Sequence, residues 1–221
     1  MLSTIEPVLR AHISSLKNEK EGGPPPIEKS FVRKGDKLAN PAKLAPRKSL
    51  LSGSTDWQLL VDYSDRPIVF PPEILATNQR PDIVTWSVAL KKVVMIELTC
   101  PAEEGIEAAR ERKLGRYSQL KQDIGDAGWT AGLLTIEVGA RGYVAYSTES
   151  CVRQLGMQKR TVSSLCKSLS RVVARCSYAI YLSRNNKTWD KKQELLTEAN
   201  RSAKTAVAES SLLPGPRSDH C

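Results

Sequence analysis

The chain has 221 residues, 40% hydrophobic and 26% charged, with a formal net charge of +9, enough for one domain with a real core and polar extensions. No run approaches the roughly 18–20 apolar residues of a membrane span, and the start MLSTIEPVLRAHISS lacks the pattern of a secretory signal, so the expected setting is intracellular, nuclear or cytoplasmic. Five scattered cysteines without a C-x-x-C pair argue against a disulfide framework or zinc ribbon. Only two histidines, His12 and His220, argue against a Ser–His or Cys–His site, so any catalysis is expected to run on carboxylates and lysines.

Residues 1–20 read as an N-terminal helix, because Ile5, Val8, Leu9, Ile13 and Leu16 recur at helical spacing. EGGPPP stops it, and residues 21–54, rich in Pro, Lys, Ser and Gly, read as a linker or extended arm. The core is expected over 55–148. WQLLVDY, DIVTWSV and VVMIELT are strand candidates, residues 101–127 form the strongest helix signal, and LLTIEV and YVAYS follow as strands. Apolar runs such as VVMIEL suit a sheet covered on both faces, so the order predicts an α/β domain with a mixed central sheet. Residues 149–189 read as basic C-terminal helices, with Val162, Leu165, Leu169, Val172, Cys176 and Ala179 on the apolar stripe; residues 190–221 read as a flexible tail.

Charge is unevenly shared: +5 over residues 1–50, −4 over 51–150 and +8 over 151–221. An acid-rich centre between basic flanks reads either as ordinary solvation or as a polyanion held by the flanks and acted on in the middle.

Glu97 stands out. Alternation in VVMIELT puts Val93, Met95, Glu97 and Thr99 on one side of the strand, so a carboxylate shares a face with core residues. Asp82 opens the neighbouring apolar strand. A hairpin through SVALKK would bring Asp82 and Glu97 together at one edge of the sheet, a pair of oxygen donors suited to a hard dication such as Mg²⁺. In the helix that follows, Ile106, Ala109, Tyr117, Leu120 and Ile124 form the apolar stripe, and Lys113 falls in its centre. Its side chain either snorkels to water or points at the two acids, with Tyr117 one turn further on the same face. Two acids, a lysine and a metal beside basic flanks suggest phosphodiester hydrolysis.

The run RPD, fourteen residues, ELT and then ERKLGRY resembles the restriction-like endonuclease domain of non-LTR retrotransposons, a branch of the PD-(D/E)xK nucleases. The likeness extends from DWQLLVDY at 56 through VGARGY at 138–143. It implies an αβββαβ restriction-endonuclease-like core, Mg²⁺ or Mn²⁺ held by Asp82 and Glu97, DNA as substrate, and Lys113 with Tyr117 as further catalytic residues. The wider group carries its lysine two residues after the second acid. This chain has Thr99 there, and the retrotransposon branch supplies the lysine from the next helix, where Lys113 lies. In the parent elements, such a cut exposes a 3′ hydroxyl that primes reverse transcription. Two alternatives stand beside a metal-dependent endonuclease: a non-catalytic nucleic-acid-binding remnant, and a structure-specific nuclease acting on branched DNA.

Several further residues have two readings each. Arg80 either touches a phosphate or pairs with a nearby acid, and Arg141 either contacts nucleic acid or only builds its turn. Lys167, Arg171 and Arg175, at successive i+4 steps, either track a DNA backbone or form a solvated face. Glu6 and Glu137 are weaker candidates for the metal, with helix solvation and strand-edge packing favoured. Cys100 is expected to be a small buried residue.

Overall fold

The computed structural model describes residues 1–18, 49–63 and 68–184. The expected tail at 190–221 and most of the expected arm at 21–54 lie outside the described residues. The chain forms a mixed α/β fold. β1 (Gln58–Val61), β2 (Ile83–Ser87), β3 (Lys92–Thr99) and β4 (Thr130–Glu137) make one sheet in the order β1-β2-β3-β4. The first two pairings are antiparallel and β3–β4 is parallel, so the chain must cross over between β3 and β4.

Every residue of β2, and Val93 through Glu97 of β3, is buried because helices cover both faces. On one face, α1 (Leu2–Asn18), α4 (Tyr146–Gln154) and α5 (Lys159–Ser183) pack Ile5, Leu9, Leu155, Leu165 and Leu169 against Ile83, Val94, Ile96 and Ile136. On the other, the crossover helices α2 (Ile106–Arg116) and α3 (Ser118–Asp126) bring Tyr117, Leu120 and Ile124 onto Val84, Trp86, Val93 and Met95. The stripe expected on α5 buries Val162, Leu165, Leu169 and Val172, leaving Cys176 and Ala179 half-buried. No described helix is long and apolar enough to cross a membrane.

Three expectations change. The single helix over 101–127 is instead a turn of 3-10 helix at Glu103–Gly105 followed by α2 and α3, broken at Tyr117. There the Ser118 hydroxyl donates to the Gly115 carbonyl at 2.8 Å, competing with the helical ladder, while the Tyr117 ring turns into the core. YVAYS is not a strand. It contributes only the Val138–Val144 bridge before α4 begins, because Thr148 Oγ1 accepts the Glu137 N–H and donates to the Glu137 carbonyl, closing that end of the β4 edge. Residues 49–54, read with the arm, run along α4: Leu51 is fully buried and the Leu50 N–H donates to the Gln154 carbonyl at 2.8 Å.

The β2–β3 hairpin is anchored from outside. Asp56, just before β1, accepts hydrogen bonds from Ser54 Oγ, from Ser87 Oγ and from the Ala89 N–H at 2.9 Å. Lys91 closes the turn in the left-handed region at φ 45°. Burial alone would raise the Asp56 carboxyl, but these donors outweigh it and hold its pKa at about 2. A depressed carboxylate contributes stability above its unfolded pKa and loses it as pH falls through the folded value. Asp56→Ala is therefore expected to cost about 1–3 kcal/mol in urea denaturation at neutral pH. That difference should shrink as pH drops from about 4 towards about 2; a difference independent of pH would remove Asp56 as the anchor.

Candidate active site

The β2–β3 register pairs Ile83 with Ile96, which places Asp82 opposite Glu97 at the strand ends. The two acids lock each other through the backbone. The Asp82 N–H donates to Glu97 Oε1 at 3.0 Å, and the Leu98 N–H donates to Asp82 Oδ2 at 2.7 Å. Because β2 and β3 are the two middle strands, this junction lies at the strand ends within the sheet and not on its lateral edge.

Glu97 is 1% exposed, on the face covered by α2 and α3. Lys113, in the third turn of α2, reaches it with Nζ 2.5 Å from Glu97 Oε2 and 3.9 Å from Asp82 Oδ2. The lysine does not snorkel away; it bridges the two acids. Burial pushes the Glu97 carboxyl above the ordinary carboxylate range. The Lys113 hydrogen bond opposes this, the Asp82 charge reinforces it, and the net direction is upward. Asp82 is more open, with 30% of its side chain exposed.

Tyr117 lies 4% exposed beside the pair, but its hydroxyl donates to the Arg80 carbonyl at 3.0 Å. Burial raises its pKa, with the Glu97 charge adding to the rise. Expected as a catalytic partner of Lys113, it joins the α2–α3 junction to the segment entering Asp82 through that hydrogen bond. Arg80, offered as a phosphate contact, is committed to Asp62 through a two-pronged ion pair at 2.9 and 2.6 Å. Sequence reasoning missed Asp62, whose N–H also donates to the Asp82 carbonyl at 2.9 Å. It follows β1 directly, and only knowledge of the β1–β2 register would have singled it out.

Arg141 follows its turn-building reading: its N–H and Nε donate to Glu103 at 2.8 and 2.9 Å. Gly142 beside it has φ +94°, and a Cβ there would come within 2.8 Å of the Ser170 carbonyl oxygen, so only glycine fits. This contact shows that α5 passes the end of the sheet where β3 and β4 finish. Lys167, Arg171 and Arg175 are exposed on α5, on the sheet face opposite Lys113 but near that same end. Glu6 pairs with Tyr63 and Arg10 on α1. Glu137 is fully buried and accepts from Ser147 Oγ, with Oε1 unpartnered. Cys100 is exposed rather than buried, because β3 ends at Thr99 and the chain turns outward through Pro101.

Among the described residues, no group of three or more His, Cys, Asp or Glu side chains is placed to hold a metal ion. Two carboxylates locked at adjoining strand ends, one of them partly open to solvent, nevertheless fit a hard dication that keeps several waters, as Mg²⁺ does. No family model, curated protein or solved structure matches the chain.

Removing Lys113 strands a buried charge. Lys113→Met is expected to destabilise the chain by about 3–5 kcal/mol in urea denaturation in EDTA, and Glu97→Gln added to it should restore most of that loss. Additive costs in the double variant would show that the two side chains do not form a coupled pair.

Proposed function

We propose that the chain is a metal-dependent DNA endonuclease with a restriction-endonuclease-like core. The observation that carries this reading is the convergence of Asp82, Glu97 and Lys113 from two strands and a helix onto one point. The chain order of helix, three strands, helical crossover and parallel strand is the order the sequence resemblance implies. Asp82 and Glu97 would hold Mg²⁺ or Mn²⁺; when bound, the ion polarises a phosphoryl oxygen and lowers the pKa of its water.

The remaining work falls to the chain itself. The Asp82 N–H and Lys113 fix Glu97 before any substrate arrives, so no side-chain reorganisation is needed at that acid. Lys113 also carries the positive charge nearest the pair and offsets negative charge that builds on a phosphate in the transition state. Tyr117 and the Arg80–Asp62 pair hold the Asp82 backbone in register. Basic residues on α5, with no acid between Glu149 and Asp190, supply sequence-independent attraction to a phosphate backbone. A retrotransposon-derived origin fits the same residues.

A second reading has its own observation. Both Glu97 oxygens are already satisfied by protein donors, Asp82 N–H and Lys113 Nζ, as expected of a nucleic-acid-binding remnant in which the trio is only a buried ion pair. Nicking of supercoiled plasmid separates the two. With Mg²⁺ or Mn²⁺ the intact chain is expected to nick, and Asp82→Ala to reduce the rate by ~100-fold or more while still shifting DNA in a gel. Equal cutting by both would remove Asp82 from the reaction; DNA binding with no cutting by either would establish the remnant.

A further inference from the structure

The C-terminal half of α5 exposes more than charge. Tyr178 is 63% exposed and Tyr181 58% exposed, beside Leu182, and the Arg184 guanidinium lies 3.9 Å over the Tyr181 ring. At 3.6 residues per turn, Lys167, Arg171, Arg175, Tyr178 and Tyr181 fall within an arc of about 120°, along a length of roughly 21 Å. The arc is basic at its start and aromatic at its end.

We propose that this face of α5 binds single-stranded nucleic acid, its basic half tracking phosphates and Tyr178 and the Tyr181–Arg184 stack receiving unpaired bases. Charge argues for a polyanion: α5 contains no acidic residue. The aromatic end argues for a single strand, since base faces are open to stacking only where bases are unpaired, and both tyrosine rings and a guanidinium plane provide stacking surfaces. A bilayer is the weaker occupant. The apolar stripe of α5 (Val162, Leu165, Leu169 and Val172) is already buried, and the exposed Tyr178, Ile180, Tyr181 and Leu182 span little more than one turn, too short a face for a helix to lie in lipid. The proposal rests on the nucleic-acid reading above only for its class of ligand. It adds a strand-holding surface at the end of the sheet where Asp82 and Glu97 lie.

The test is fluorescence anisotropy of the full chain in EDTA with labelled dT20, a 20-base-pair duplex and phosphatidylcholine–phosphatidylserine vesicles. Tyr178→Ala with Tyr181→Ala should weaken dT20 binding by about 10-fold or more and duplex binding by about twofold or less, with unchanged melting temperature. The corresponding pair of Phe variants should retain most of the dT20 affinity. Replacing Lys167, Arg171 and Arg175 with Gln should flatten the slope of log affinity against log salt for dT20 by about 2. The proposal is overturned if the alanine pair binds dT20 as the parent does, if vesicles are bound in preference to dT20, or if the alanine pair converts a dimer into a monomer. Because EDTA suppresses metal-dependent cutting, binding of dT20 by a chain that never nicks plasmid would sink the endonuclease reading and support this one.

Discussion

The structure depends on how it accommodates one buried carboxylate. Glu97 closes an apolar strand with essentially no access to water, and an ion so placed costs several kcal/mol unless it is paired and hydrogen-bonded. Its two partners come from different levels of the fold: a backbone N–H delivered by strand register, and an ammonium delivered by the crossover helix. A one-residue slip between β2 and β3 would turn Glu97 toward the α1–α5 face, away from both partners. Register here is thus an electrostatic requirement as well as a packing one, and the anchoring of the hairpin turn by Asp56 serves the acid pair at the opposite end of the same two strands.

Two further ion pairs border the same strand ends. Arg80 is held by Asp62 and Arg141 by Glu103, each cation fixing a backbone segment that borders the strand ends. One keeps the approach to Asp82 in line with β1; the other ties the turn after β4 to the start of the crossover. Each guanidinium keeps donors beyond its ion pair, and the Arg141 side chain is 79% exposed. The exposed basic residues of α5 lie on the other face of the sheet, brought to the same end by the close approach of Gly142 to Ser170. On the proposed nuclease reading, chemistry and attraction for a polyanion fall to opposite layers that meet at the strand ends.

Much of this was legible in the sequence because it follows from short periods. Alternation in VVMIELT identified the face of Glu97, and the helical stripe through Ile106 and Leu120 identified the anomaly of Lys113; both are local patterns that the packing preserves. The breaks came where a side chain competes with the backbone. Ser118 capturing the Gly115 carbonyl split the expected helix at Tyr117, and Thr148 capturing both polar groups of Glu137 replaced an expected strand with α4. Neither competition has a period. The Asp62–Arg80 pair was hidden for a different reason: it joins residues 18 positions apart across β1 and β2, a register that short β1 does not reveal.

The charge count at the centre has a consequence for what can approach it. Asp82 and Glu97 set two acidic groups against the single basic group of Lys113, so by formal charge the trio is acidic on balance. A phosphate meeting that trio alone would be repelled, whereas a dication would be attracted, most directly by the partly open Asp82. If the trio acts on a phosphodiester, the dication is then required to reverse the sign of the local field as well as to activate water, and Lys113 alone is insufficient. If the trio is only structural, the residual charge is a standing repulsion near a surface otherwise suited to polyanions. The first case gives each member of the trio a use; the second leaves Asp82 working against the basic helix beside it.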